Sequence, residues 1–198
     1  MKILGLCGGS GSGKGLASKS FLSYGIPALD TDALYHAMIE RDSECARELI
    51  SEFGEQIKGD NGGINRVALR NAVFEKDGER LKRLDEIAHR HILAECRLWL
   101  KEKEKDKCPA AIIDAPLLFE SGFDRECDII ISVIAPKEER IKRIMARDNL
   151  TSAEAEARIR SQKSDEFLKA HSDYLIYNDG TKEALISQVS EICRLILK

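Results

Sequence analysis

One stretch constrains this chain more than any other: Gly8-Gly9-Ser10-Gly11-Ser12-Gly13-Lys14-Gly15. Ahead of it runs Lys2-Ile3-Leu4-Gly5-Leu6-Cys7, a short apolar run of strand character. Behind it, Leu16 to Leu22 reads as a helix. A strand, a glycine-rich loop, a lysine and a helix together form the arrangement that holds nucleotide phosphates. The glycines let the backbone turn tightly and aim several N–H groups at one anion, and the helix N-terminus adds partial positive charge. Lys14 reaches the β- and γ-phosphates as a point charge. Gly8, Gly13 and Lys14 keep the spacing G-x-x-x-x-G-K, which ordinarily continues with Ser or Thr, whose hydroxyl binds Mg²⁺. Here the next residues are Gly15 and Leu16. A merely flexible glycine-serine turn is the bland alternative, and the flanking strand and helix patterns argue against it.

With 198 residues, 43% of them hydrophobic and 33% charged, the chain has enough material for one globular domain with sub-regions. A net charge of −3 gives no reason to expect nucleic acid or an anionic membrane as partner. No apolar run is long enough to span a bilayer, and Gly8 to Lys14 interrupts any signal-like region at the N-terminus. The six cysteines are scattered, without a C-x-x-C pair, and read as reduced thiols of a cytoplasmic protein. Cys7 ends the first strand beside the loop. It reads as a buried small hydrophobe, with redox sensing as the alternative.

Gly25 to Asp30 reads as a second strand, ending in Asp30-Thr31-Asp32. Ligands of parallel α/β sheets gather at the carboxyl ends of strands. One of the two aspartates suits the cap of the helix beginning near Ala33, which leaves the other for chemistry. From Ala33 to about Lys107 the pattern is mostly helical. Apolar stripes fall at Leu34, Met38 and Ile39, at Leu49, Ile50 and Phe53, and at Val67 to Phe74. A long helix carries Leu81, Leu84, Ile87, Ala88, Ile92, Cys96 and Trp99 near a 3.6 period. Such a block is longer than a crossover needs and reads as a substrate-binding insertion. His89 and Arg90 within it are either substrate contacts or satisfied surface residues.

Ala110 to Asp114 reads as a buried strand whose terminal carboxylate faces the metal of the phosphate loop. Asp128 to Ala135 is another buried strand. Residues 137–172 are helical and arginine-rich, with a capping-box signature at Thr151 and Glu154. Arg140, Arg143 and Arg147 share one helix face. Arginines opposite a phosphate loop read as a closing lid, against the alternative of a helix laced by surface ion pairs. Ser172 to Asn178 is a last strand. The final helix presents Leu185, Val189, Ile192, Leu195 and Ile196 to the sheet. Together these features fit a small phosphoryl-transfer enzyme that works by positioning and charge neutralisation.

The run Gly5 to Lys14, the Gly25-Ile26-Pro27-Ala28-Leu29-Asp30-Thr31-Asp32 segment and Asp114-Ala115-Pro116-Leu117-Leu118-Phe119-Glu120-Ser121-Gly122 resemble the dephospho-CoA kinase family. So do Arg147-Asp148, Arg158-Ile159 with Gln162, and Asp173-Tyr174 with Asn178. The resemblance implies a P-loop NTPase fold: a three-layer α/β/α core with a five-stranded parallel sheet, a helical substrate-binding insertion and a helical lid. The nucleotide core would comprise residues 1–32, 108–136 and 173–198, the insertion 33–107 and the lid 137–172. The implied reaction is transfer of the ATP γ-phosphate to the ribose 3′-hydroxyl of dephospho-CoA, the last step of coenzyme A synthesis. Lys14, Asp32 and Arg140 are the implied catalytic residues. Gly9, Gly11, Ser12, Gly13, Lys14, Gly15, Leu16, Arg147 and Asn178 would line ATP. Asp32, His89, Leu117 and Phe119 would line dephospho-CoA, and Asp114 would hold Mg²⁺. The partners are these small molecules alone, bound by a monomer or weak homo-oligomer.

Two positions depart from the family. Arg90 stands where a proline often follows the histidine, and Gly15 replaces the Mg²⁺-binding hydroxyl. The main expectation is an active kinase in which water fills the vacant position. The alternatives are a catalytically weakened nucleotide- or CoA-binding protein, and a related nucleoside or nucleotide kinase.

Overall fold

The apolar run at the N-terminus forms the central strand of the sheet, and both its neighbours pair with it in parallel. The computed structural model describes residues 1–73 and 78–197. β1 (Lys2–Cys7) leads through the glycine-rich loop into α1 (Lys14–Ser23), then β2 (Ala28–Asp30). The helices α2 (Thr31–Ile39), α3 (Glu44–Phe53), α4 (Arg66–Val73) and α5 (Glu79–Lys105) follow. β3 (Ala110–Asp114) and β4 (Ile129–Ile134) come next, then α6 (Lys137–Asp148), α7 (Ser152–Arg160), α8 (Asp165–Ala170), β5 (Tyr174–Tyr177) and α9 (Lys182–Ile196). Phe74, at the end of one expected helical stretch, lies outside the described residues.

The strand order is β2-β3-β1-β4-β5. The chain builds out from β1 on one side through β3 and on the other through β4, so the order reverses at β1. A crevice at the carboxyl end of that strand is where such sheets bind ligands. The register brings the chemistry to the same edge: Leu6 pairs with Asp114, and Cys7 with Ser132.

The chain divides into two compact units, Met1–Leu29 with Leu100–Lys198, and Asp30–Trp99. In the first, the pleat sends Leu4 and Leu6 of β1 to one face. There they pack with Ala17 and Phe21 of α1, Ile131 and Val133 of β4, and Leu185, Val189, Ile192 and Ile196 of α9. The alternate residue Gly5 faces the other side, where an added Cβ would meet Leu118 and Cys127. Burying a large aliphatic side chain of this core contributes about 1.5–3 kcal/mol. Leu195 does not join it: at 52% exposed it faces solvent, whereas Cys193, two residues earlier, is 1% exposed. Inward residues 185, 189, 192 and 196 keep a 3.6 period that 195 misses.

The second unit has its own core of Ile39, Cys45, Leu49, Ile50, Phe53, Ile57, Leu69, Val73 and Ile87. Helix α3 ends at Phe53 because Gly54 turns to φ 97°. Leu81, expected on the apolar stripe of α5, is 37% exposed, whereas Ile87 and Cys96 are buried. Strand boundaries are tighter than the apolar runs. Asp128 and Asp173 precede β4 and β5, and their carboxylates accept the Ile3 N–H at 2.7 Å and the Ile130 N–H at 2.8 Å.

Candidate active site

The loop of residues 8–13 owes its shape to two constraints on glycine. Gly13 is the N-cap of α1 at φ 96°, a left-handed conformation, and a Cβ there would collide with the Asn178 amide. Gly11, at φ 77°, lies so close to α6 that a Cβ would come 2.6 Å from the Arg140 carbonyl oxygen. No side chain caps α1, and its first turn carries no acidic residue. Its leading N–H groups are therefore left for an anion.

Three side chains hold three successive loop carbonyls. Arg140 Nε donates to Ser10 O at 3.0 Å, Arg143 Nη1 to Gly11 O at 3.1 Å, and Asn178 Nδ2 to Ser12 O at 2.7 Å. In a planar trans peptide the N–H of the next residue points opposite to the carbonyl. Pulling the carbonyls outward therefore turns the N–H groups of Gly11, Ser12 and Gly13 inward. The Ser12 N–H closes a turn onto Gly9 O at 3.0 Å, so Gly11 and Gly13 face the loop interior together with the first turn of α1. Arg143 was legible from its three-residue spacing to Arg140, yet spacing alone does not show that it grips a carbonyl.

Lys14, at the start of α1, forms an ion pair with Asp114 at the end of β3, and the Asp114 side chain is only 4% exposed. Gly15 follows, and a Cβ there would meet nothing within 4 Å. Ser12 does not replace the missing hydroxyl. Its Oγ is buried without a hydrogen-bond partner, 2.8 Å from where a Cβ on Gly8 would stand. The residues present nonetheless fit Mg²⁺. Asp114 supplies a hard oxygen donor, and the open space at Gly15 admits water. This ion typically takes one or two carboxylates, with phosphate oxygens and water completing its shell. Leu16 lies partly buried against the sheet core, its N–H returned to Gly13 O at 2.9 Å.

Cys7 beside the loop is buried. Its Sγ lies 2.9 Å from Ser132 Oγ, which lies 2.7 Å from Ser172 Oγ. Burial pushes the thiol pKa up to about 11, against a smaller opposing effect of the Ser132 hydrogen bond. A thiol so disposed is a packing residue rather than a nucleophile at neutral pH.

Beyond β4 the expected arginine face divides by residue. Arg140 is 4% exposed and pairs with Asp165 at 3.0 Å. Burial lowers the guanidinium pKa, and Asp165 opposes that effect. Arg147 pairs with the residue that follows it, Nε and Nη2 each 2.8 Å from the Asp148 carboxylate. Asp148 also accepts Arg158. The Arg147 hydrogen bond leads in holding the Asp148 pKa down to about 2. The capping box at Thr151 and Glu154 is present. Phe119 packs edge-on against Phe167 of α8 at 5.1 Å between ring centroids, and Leu117 is exposed.

In the second unit the two aspartates separate. Asp30 is the N-cap of α2, its Oδ1 accepting the N–H of Asp32 at 2.9 Å and of Ala33 at 3.0 Å. Asp32 stands in the first turn of that helix. His89 is partly buried beside Asp85 on α5; burial raises the Asp85 pKa and His89 lowers it. Arg90 and His91 are both taken up by Glu48, the His91 Nε2 at 2.7 Å, which ties α5 to α3.

Comparisons with known proteins are consistent along the chain. A family model described as dephospho-CoA kinase (CoaE) matches residues 2–184. A dephospho-CoA kinase of Fusobacterium nucleatum is 39% identical over 194 residues, covering 98% of each chain. One from Geobacter sulfurreducens is 34% identical over 192 residues, covering 97% of each. Among solved structures, one from Thermus thermophilus superposes with a TM-score of 0.83 at 32% identity, covering 100% of this chain and 98% of the other. Dephospho-CoA kinase from Campylobacter jejuni gives 0.72 at 26% identity, covering 99% and 98%. A shikimate kinase from Acinetobacter baumannii, at 0.52 and 16% identity with 100% and 93% covered, shares the fold.

Proposed function

The chain belongs to the dephospho-CoA kinase family, and on that premise we propose how its own residues carry the reaction. It is an ATP-dependent kinase of P-loop fold that phosphorylates the ribose 3′-hydroxyl of dephospho-CoA to give coenzyme A. The observation that carries the assignment of residues is the loop whose carbonyls are drawn outward by Arg140, Arg143 and Asn178.

In our reading the inward N–H groups of Gly11 and Gly13 and the first turn of α1, Gly15 included, receive the ATP phosphates. Gly9, Ser12 and Leu16 shape and seat the loop around them. Lys14 exchanges the Asp114 carboxylate for phosphate oxygens and meets the charge that grows on them during transfer. Asp114, relieved of Lys14, is the residue to hold Mg²⁺ with water, an ion that when bound neutralises charge on the phosphate oxygens. Asp32, which is spared from capping by Asp30, orients the 3′-hydroxyl and accepts its proton. Residues 137–172 serve as the lid. Arg140 contributes positive charge at the rim of the loop, Asn178 acts on ATP through the loop carbonyl it holds, and Arg147 lines ATP from the end of α6. His89, Leu117 and Phe119 contact dephospho-CoA. Six scattered cysteines without a C-x-x-C pair support a reducing compartment such as the cytoplasm.

The test is phosphate transfer from ATP to dephospho-CoA by purified protein, with coenzyme A identified by mass. An Asp32→Asn variant run beside it should bind ATP normally and lose turnover. Equal turnover by that variant would remove Asp32 from the chemistry.

A further inference from the structure

A loop N–H and an arginine converge on a single oxygen beside the phosphate loop. That oxygen is Gln162 Oε1, which accepts the Ser10 N–H at 2.9 Å and Arg140 Nη2 at 3.3 Å. These two N–H donors fix the orientation of the amide, whose Nε2 donates to Ser10 Oγ at 3.2 Å. Gln162 belongs to the connection between α7 and α8, far from the loop in sequence. It reaches the loop because Gly9 has no side chain: a Cβ there would collide with the Arg140 guanidinium and lie 3.1 Å from Gln162 Oε1. A cleft lined by Gly8, Gly9, Pro116, Phe119, Gln162 and Lys163 adjoins this contact.

A backbone N–H of a glycine-rich loop and a guanidinium aimed at one partly negative oxygen make the donor set that recognises a phosphoryl oxygen. Taking Arg140 and the loop N–H groups as phosphate contacts, we propose that Gln162 Oε1 is an internal stand-in for a phosphoryl oxygen, which the nucleotide must displace. The inference rests on the loop being the ATP site. A phosphoryl oxygen carries charge and the amide does not, so the exchange favours the nucleotide. Arg140 keeps its place through the exchange, because its Nε stays on Ser10 O and its Nη1 on Asp165. What moves is Gln162, and with it the α7–α8 connection. Occupancy of the loop is thereby coupled to the lid through one side chain. The competition also lowers the apparent affinity for nucleotide by the fraction of molecules in which the amide is displaced.

The experiment compares wild type, Gln162→Ala and Gln162→Glu for ATP binding by calorimetry, with hydrogen exchange followed over residues 158–165. Losing one neutral competitor should tighten ATP binding of Gln162→Ala by roughly three- to tenfold. Gln162→Glu should bind ATP more weakly than wild type, because a carboxylate holds the same two donors by charge-assisted bonds and repels phosphate. In wild type, ATP should raise exchange over 158–165, and in Gln162→Ala that response should vanish. If Gln162 only props the loop, both substitutions weaken binding, so equal or weaker binding by Gln162→Ala overturns the inference. Absence of ATP binding by all three proteins overturns the reading of the loop itself, and the inference with it.

Discussion

The Lys14 ammonium rests on the Asp114 carboxylate, joining the start of α1 to the end of β3. Both side chains are largely shielded from water, so each neutralises the charge of the other where two uncompensated charges would be costly. In the proposed reaction the phosphate oxygens offer Lys14 an alternative partner.

Removing one member of this pair should therefore harm stability as well as function. Lys14→Met leaves Asp114 buried without its cation and should lower unfolding free energy by about 3 kcal/mol. Turnover should fall at least about 100-fold through lost stabilisation of the transferring phosphate. The double variant Lys14→Met with Asp114→Asn should regain part of the stability and none of the activity. Urea unfolding and an initial-rate assay on Lys14→Met, Asp114→Asn and the double variant check this. Additive losses of stability would contradict the pairing.

The two aspartates after β2 should separate by phenotype. Asp30 caps α2, so Asp30→Ala should cost about 1 kcal/mol in unfolding free energy. Asp32→Asn should leave the thermal midpoint close to wild type and reduce kcat by roughly 10²–10⁴. A large loss of stability in Asp32→Asn with kcat retained would reverse the assignment.

Asn178 holds the Ser12 carbonyl at 2.7 Å and is itself 8% exposed. Asn178→Ala leaves that carbonyl without its donor, at a cost of about 1–3 kcal/mol. The loop then loses one of its three outward ties, so KM for ATP should rise more than kcat falls. Steady-state kinetics over a range of ATP concentrations separate the two.

The buried thiols set an alkaline limit. Cys7 is raised from 9.0 to about 11 by burial, and Cys45 and Cys193 are likewise raised to about 11, with burial the leading cause in each. A folded-state pKa above the unfolded value gives stability that is complete below pH 9.0 and is lost as pH rises through about 11. For Cys7 alone the loss is about 2–3 kcal/mol. Urea midpoints at pH 8 and pH 10.5 should show the decline, and Cys7→Ala should flatten part of it. At pH 7.5 the folded protein should leave Cys7 unalkylated.

Much of this was legible in the sequence where the determinants are local. The strand, loop and helix around Lys14 are contiguous, so their pattern reads directly. The same holds for the Thr151 capping box. Asp30 and Asp32 could only be offered as a pair, because either residue suits a cap and backbone geometry decides between them. Arg140 and Arg143 were placed on one face by spacing. Their bonds to loop carbonyls more than 120 residues away in the chain carry no local signal. Gln162 is the extreme case, since its partner Ser10 is 152 residues distant. Leu195 was misplaced because it and Cys193 lie on opposite edges of the inward stripe of α9, and packing against the sheet covers the Cys193 edge.

The central claim is that this loop supports kinase turnover with Gly15 in place of a hydroxyl residue. The measurement is ATP-dependent conversion of dephospho-CoA to coenzyme A across a wide range of Mg²⁺, for wild type beside Gly15→Ser. Space for the serine is open, so the variant should fold normally. Wild type should turn over, with Gly15→Ser reaching half-saturation at several-fold lower Mg²⁺. No coenzyme A from wild type at any Mg²⁺ concentration, with activity restored in Gly15→Ser, would contradict the account.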